Sequence, residues 1–125
     1  MSSRDIEGEN LLYLPQAKIY ERSCALGPCI RVGADEAEAR QWSVAMQIHR
    51  GGTVVFQGET NVGQIKRCFE ELAAFLFRCQ KFPHGAVLLT GTGIVPPDNF
   101  TLQPGDQVAM SISGIGTLMN PVVGV

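Results

Sequence analysis

Three features of this sequence could take part in polar chemistry. They are Lys18, Arg4 and the Thr-Gly segment at residues 90–93. Thr90-Gly91-Thr92-Gly93 offers hydroxyls and backbone amides to an anion. It is not a phosphate-binding loop, because no Gly-Lys-Ser/Thr follows, and an isolated tetrad of this kind is more typical of a structural turn. Lys18 follows Ala17, and Arg4 precedes Asp5. Taken singly, both cations are typical of a solvated surface.

The cysteines and histidines do not form a metal-ligand pattern. No two cysteines have CxxC spacing and no histidine is near them in sequence, so a zinc site is not predicted. Cys24 lacks the neighbouring base that a nucleophilic cysteine requires. His49 falls in a predicted strand and His84 in a turn, so both are interpreted as structural or solvated. Cys68 and Cys79 fall on the apolar face of a predicted helix, where reduced cysteine acts as a small hydrophobe.

The elements that must position these residues begin with a β-hairpin. Val44, Met46 and Ile48 alternate with polar or small residues across 43–49, which is the period of a half-buried strand. Gly51-Gly52 tolerates the positive φ of a tight turn. Residues 54–57 then form the returning strand.

One long helix is predicted at about residues 61–82. Its apolar residues recur at the spacing of a single helical stripe, at Ile65, Cys68, Phe69, Leu72, Ala73, Leu76 and Cys79. Thr60 or Asn61 is the predicted N-terminal cap, and Pro83 with Gly85 ends the helix.

The remaining elements are short. Residues 1–27 predict a loop with short extended pieces, and residues 34–40 a helical turn or a solvated loop. Pro104-Gly105 fits the centre of a type II turn, because proline presets φ and glycine accepts a positive φ. Four further strands are predicted, at residues 29–32, 86–89, 107–112 and 117–122.

Composition limits the classes of partner. The chain has 125 residues, 14 glycines and 7 prolines, which fits one β-rich domain over residues 1–125. The net charge is −2 and no basic tract is present, so nucleic acid is not an expected partner. No apolar run approaches the ~20 residues that span a bilayer. The first residues lack the features of a signal peptide, so we expect a cytoplasmic protein.

Seven short motifs in a fixed order give the strongest signal in the sequence. They are Ser3-Arg4-Asp5, Gln16-Ala17-Lys18, Leu26-Gly27-Pro28, Gln57-Gly58-Glu59-Thr60, Leu88-Leu89-Thr90-Gly91-Thr92, Leu102-Gln103-Pro104-Gly105-Asp106 and Gly114-Ile115-Gly116-Thr117-Leu118-Met119-Asn120. Their order and spacing resemble the fumarylacetoacetate hydrolase family from end to end. The segments 5–10 and 13–18 also look like the branch of that family containing dehydratases of 2-keto-3-deoxy sugar acids.

The resemblance implies a fold, a cofactor and a set of site residues. The implied fold is α+β and β-dominated, a mixed β-roll or sandwich with the one long helix packed on it. Family members use Mg²⁺, or Ca²⁺ or Mn²⁺, to polarise keto or diketo acids in hydrolase, lyase, isomerase or dehydratase reactions, commonly as homodimers or larger oligomers. By motif position Lys18 is the implied catalytic residue. Arg4, Gln16 and Thr92 are the implied substrate-binding residues, and Arg4 is equally suited to a structural role.

The sequence also departs from the family pattern. The family's metal carboxylates are an E-x-E pair and the aspartate of N-D-x-S, and all three would lie upstream of Met1. Glu7-Gly8-Glu9 has the E-x-E spacing but lies on the wrong side of the Ser-x-Arg-Asp segment, and the acidic residues between 35 and 38 resemble a solvated turn. We therefore expect the C-terminal portion of a catalytic domain, which does not bind the cation alone. The alternative is a non-catalytic remnant or a partner-dependent fragment of the same family.

Overall fold

The computed structural model describes residues 1–125 and contains one antiparallel sheet with three short α-helices. The helices are α1 (Arg4–Glu9), α2 (Glu36–Ala39) and α3 (Phe69–Phe77). The strands are β1 (Ser43–Arg50), β2 (Thr53–Asn61), β3 (Gln107–Ile112) and β4 (Gly116–Pro121). Single 3-10 turns lie at Leu11–Tyr13 and Val62–Gln64. The sheet order is β2-β1-β3-β4, so β2 and β4 are its edges.

The predicted β1–β2 hairpin is confirmed. Gly51 and Gly52 have φ of 57° and 82°, and this positive φ at both positions is why the turn carries glycines. The pairing runs from Arg50 opposite Thr53 to Ser43 opposite Asn61, with an irregularity after Ile48. Strand β2 is therefore longer than predicted and continues to Asn61.

The two C-terminal strands are also confirmed, and they complete the sheet beside β1. Strand β3 has the predicted bounds, and β4 begins one residue earlier than expected. Ile48 lies opposite Val108 in the β1–β3 pair and is only 2% exposed, so the small core centres on β1. Strands β1 and β3 each have a hydrogen-bonded neighbour on both sides, so together they form the centre of the sheet.

A buried ion pair fastens the end of β1 to the turn before β3. Arg50 donates from Nε and Nη2 to the two carboxylate oxygens of Asp106, both at 2.8 Å, and Asp106 is 1% exposed. The bond from Arg50, helped by a bond from the Gln103 amide, lowers the pKa of Asp106 from 3.8 to about 2. Gly105 has φ 93°, as the predicted Pro104-Gly105 turn requires. The aspartate of this turn is thus a structural residue.

The helix predicted at about residues 61–82 is shorter and spans Phe69–Phe77. Arg40 explains the late start of the helix. Its guanidinium donates hydrogen bonds to the carbonyl oxygens of Ile65 and Arg67, at 2.6 and 2.8 Å, so these carbonyls are bonded outside a helix. Glu36 then accepts a bond from the Phe69 amide at 2.8 Å, which caps α3 and lowers the pKa of Glu36.

Several local predictions need correction. Cys68 precedes α3 and Cys79 follows it, so both thiols are exposed rather than packed on an apolar face. Residues 29–32 and 86–89 form no strand. The segment 1–27 includes α1 and a 3-10 turn instead of extended pieces. Over residues 34–40 the helical alternative is confirmed, with the Asp35 side chain capping α2.

The α+β class with a β-dominated sheet is confirmed, but little of the chain is enclosed. Strands hold 23% of residues, and the α-helices and 3-10 turns together hold 20%. Only 6 of the 125 residues are buried, and the total accessible surface is 9438 Å². Large apolar side chains such as Leu12, Ile30 and Val32 are more than 80% exposed. No helix has both the length and the apolar character needed to cross a membrane.

Candidate functional site

Lys18 lies in a turn that follows the N-terminal helical segment. Its backbone amide donates to the Pro15 carbonyl at 3.1 Å. Its ammonium donates to Glu7 Oε1 and to Ser2 Oγ, both at 2.8 Å. The lysine side chain is 49% exposed and the glutamate side chain 33% exposed. The ammonium is therefore held by two partners and is still open to solvent.

Helix α1 connects this lysine to a second cation. Arg4 and Glu7 are three residues apart on α1, so they lie on neighbouring positions of one helix face. Arg4 Nη1 donates to the Pro96 carbonyl at 3.1 Å, and Nη2 donates to Asp98 Oδ1 at 2.9 Å. The helix therefore contacts both the turn that carries Lys18 and the loop that follows Thr92.

Thr92 lies at the start of that loop, and its hydroxyl forms hydrogen bonds with the nearby backbone of the loop. Thr92 Oγ1 accepts a bond from the Ile94 amide at 3.0 Å and lies 3.3 Å from the Ile94 carbonyl. Ile94 is 8% exposed and anchors the loop. A Cβ on Gly93 would lie 2.8 Å from Thr60 Oγ1, so only glycine allows this close approach to β2. The loop is thus fixed against the sheet while Thr92 itself remains exposed.

Gln16 is an exposed residue beside the fully buried Ala17, and its side chain makes no hydrogen bond. The structure therefore joins Lys18 and the Thr92 loop through α1 but gives Gln16 no contact with either. The substrate-binding roles of Arg4, Gln16 and Thr92 remain predictions.

The hydrogen-bond partners of Lys18 and Arg4 were not predicted from the sequence. They are Ser2 and Glu7 for Lys18, and Asp98 for Arg4. The i, i+3 spacing of Arg4 and Glu7 was the available signal, but it has meaning only in a helix. Because residues 1–27 are predicted as loop, that spacing predicts no shared face. Asp98 was not predictable, since it is 94 positions from Arg4.

The chain does not offer a divalent cation a ligand set of its own. No three His, Cys, Asp or Glu side chains lie close enough together to hold a metal ion. The carboxylates of Glu7 and Asp98 are each bonded to a basic side chain, Glu7 to Lys18 and Asp98 to Arg4. Two separated and already neutralised carboxylates do not fit the several oxygen ligands that Mg²⁺ requires.

Comparison with known proteins agrees with the motifs. The family model described as the C-terminal part of fumarylacetoacetate (FAA) hydrolase matches residues 1–123. The chain belongs to the fumarylacetoacetate hydrolase family. Within that family, it is 46% identical over 122 residues to a probable 2-keto-3-deoxyxylonate dehydratase of Haloferax volcanii. It is 42% identical over 122 residues to the 2-dehydro-3-deoxy-D-arabinonate dehydratase of Saccharolobus solfataricus.

These likenesses cover nearly all of this chain but less than half of each relative. Both matches span 98% of the chain, and 42% and 41% of the respective dehydratases. A solved 2-keto-3-deoxy-D-arabinonate dehydratase, complexed with magnesium and 2,5-dioxopentanoate, superposes with a TM-score of 0.91 at 42% identity. That structure is matched over 96% of this chain and 43% of its own. The predicted family and its likeness to sugar-acid dehydratases are thus confirmed.

Proposed function

We propose that this chain supplies the cationic, substrate-binding part of a lyase that removes water from a 2-keto-3-deoxy sugar acid. The observation that carries the proposal is the 42–46% identity to two dehydratases of this substrate class, sustained over 98% of the chain. The chain would then be the C-terminal portion of one catalytic domain. Under this proposal the metal ligands of the family come from outside residues 1–125, and the cation would polarise the keto acid.

The chemistry of such a dehydration explains why a lysine is needed. Removing a proton from C3, beside the C2 carbonyl, places negative charge on the carbonyl oxygen, and hydroxide then leaves from C4. A fixed ammonium stabilises an oxyanion strongly when it is already oriented before the charge develops. Lys18 is oriented by Glu7 and Ser2 and is open to solvent. Arg4 and Thr92 are the proposed partners of the substrate carboxylate.

A partner-dependent or non-catalytic fragment is the second candidate, and two observations favour it. No carboxylate cluster for a metal is present. In addition, only 6 residues of 125 are buried, so much apolar surface is left open to a partner. The four exposed, unpaired thiols suit a reducing compartment, which supports the proposed cytoplasmic location.

The test combines the chain with the N-terminal portion of a longer relative. The chain is mixed with the separately produced N-terminal portion of the Saccharolobus dehydratase, Mg²⁺ and 2-keto-3-deoxyarabinonate, and loss of water is followed by NMR. We expect turnover in the mixture, and about a hundredfold loss with Lys18→Met, as for removal of one oxyanion-stabilising group. Lys66→Met, which alters an exposed lysine elsewhere, is the matched control.

A co-purifying, magnesium-loaded mixture without turnover would refute the dehydratase proposal and favour the non-catalytic remnant. Turnover that is unchanged by Lys18→Met would refute the role of the lysine. Calorimetric titration of the chain alone with Mg²⁺ and oxalate measures whether the chain binds the cation by itself. Tight binding there would contradict a fragment that depends on a partner for its metal site.

A further inference from the structure

The side chain of Lys18 is half-exposed, yet two other side chains fix the position of its ammonium. A lysine on a four-carbon stem normally samples many rotamers, and fixing one of them costs conformational entropy. Here two of the three ammonium donors are used, by Glu7 Oε1 and Ser2 Oγ. The ammonium makes no third hydrogen bond within the chain. An ammonium with two fixed bonds and one free donor has a defined direction for its remaining hydrogen bond.

The backbone around the pair is also fixed, so the contact does not depend on two flexible side chains meeting. The Ser3 amide donates to the Ala17 carbonyl at 2.9 Å, and the Glu7 amide donates to the Ser3 carbonyl at 3.0 Å. Ala17 is fully buried. The first turn of α1 is therefore attached directly to the residue before Lys18.

The contact is specific to one of the three acidic residues on α1. Asp5, Glu7 and Glu9 all lie on this six-residue helix. Of the three, only Glu7 makes a hydrogen bond or ion pair through its side chain. General negative charge on the helix is therefore not what holds the lysine, since the other two carboxylates carry the same charge without contacting it.

We infer that Glu7, assisted by Ser2, is a positioning residue that aims the third donor of Lys18 at the substrate. The inference rests on the proposed function, because it gives a catalytic meaning to the direction of the ammonium. Glu7 acts through Lys18 and itself needs no contact with the substrate. Its carboxylate also balances the lysine charge, so the site presents a directed donor without a net positive charge from this pair.

The contact can be tested on the chain alone, because Lys18, Lys66 and Lys81 are its only lysines. In ¹⁵N-labelled protein we expect a slowly exchanging ammonium signal from Lys18. Glu7→Ala should speed its hydrogen exchange about tenfold, which is the effect of losing one charge-assisted hydrogen bond. The matched control is Glu9→Ala, which removes the same charge from the same helix and should leave the signal unchanged.

Backbone amide exchange on the same samples separates positioning from support of the fold. If Glu7 positions the lysine, its removal changes the ammonium while the amides of α1 and residues 15–19 keep their protection. Glu7→Gln keeps an acceptor oxygen and should recover part of the signal. An ammonium signal equal in wild type and Glu7→Ala, or a loss of amide protection throughout this region, would overturn the inference.

The catalytic meaning is tested in the complemented enzyme. We expect Glu7→Ala to lower kcat about tenfold with little change in KM, because an oriented group acts mainly in the transition state. A full kcat would overturn positioning if Lys18→Met is inactive in the same assay. If wild type and Lys18→Met turn over equally, the proposed role of Lys18 fails instead, and the exchange data still decide whether Glu7 holds the lysine.

Discussion

The large accessible surface of the chain predicts that the purified chain associates with further copies of itself. A compact monomer of 13.5 kDa exposes about 6,500 Å² by the scaling of surface with mass. This chain exposes 9438 Å². The excess of about 2,900 Å² is more than three times the ~800 Å² that each partner contributes to a standard interface. Both edge strands of the sheet are open as well, which adds unpaired backbone groups.

Leu11 and Leu12 provide a perturbation that should affect association and leave the folded chain intact. They are 80% and 82% exposed, so changing both to serine removes almost no packing from the monomer. Burying a leucine in an interface contributes about 1.5–3 kcal/mol. If this pair is covered by a second chain, the double variant should raise the apparent dissociation constant at least about tenfold, since 1.4 kcal/mol is a factor of ten.

Sedimentation velocity over a range of concentrations measures the association, and binding of a hydrophobic dye measures the exposed apolar surface. We expect the wild-type chain to sediment as an oligomer at micromolar concentration. On dilution, the double variant should become monomeric at a higher concentration than the wild type does. Circular dichroism should show equal secondary structure in both. A wild-type chain that is monomeric at about 100 μM and binds no dye would refute the reasoning from area. An oligomer unaffected by the two serines would place the interface elsewhere.

Three further predictions concern the folded chain. Asp106→Asn should lower stability at pH 7. The pKa of Asp106 is about 2 when paired with Arg50, against an ordinary 3.8, so the stabilisation is present above pH 4. The difference between wild type and variant in urea unfolding should therefore shrink as pH falls from 4 towards 2. Gly114→Ala should cost about 1–3 kcal/mol in the same assay, because its Cβ would lie 2.1 Å from a ring atom of Trp42. Gly8→Ala, a helical position with no neighbour within 4 Å, should raise the melting temperature through a gain of about 0.5–1 kcal/mol.

The sheet was predictable because its signals are local. Alternation across residues 43–49 and the Gly51-Gly52 turn determine the hairpin within about 15 residues of sequence. The bounds of helix α3 were harder to predict, since its apolar stripe continues through residues that are not helical. Its true start depends on Arg40 and Glu36, which bond the backbone of residues 65–69 from about 30 positions away. A periodicity argument cannot include such tertiary capping.

The roles of the candidate site residues remain predictions, and the contacts of these residues were not predictable from the sequence. Motif position led to Lys18 and Arg4 without any knowledge of geometry. Their partners were missed, because Glu7 requires the helix α1 and Asp98 requires the loop after Thr92 to return to the N-terminal segment. The Arg50–Asp106 pair was missed for the same reason, since nothing in the sequence joins positions 56 apart.

The two cations of the site differ in how easily a substrate can displace their partners, and this difference assigns them different tasks under the proposed function. Asp98 is 92% exposed, and such a surface ion pair contributes about 0–1 kcal/mol, so a substrate carboxylate can replace it at little cost. Arg4 would keep its bond to the Pro96 carbonyl during that exchange and stay oriented. Lys18 has two partners, and its ammonium can use its third donor without losing either. Arg4 is thus suited to exchange an internal carboxylate for that of the substrate. Lys18 is suited to add a bond to an oxygen whose charge grows during the reaction.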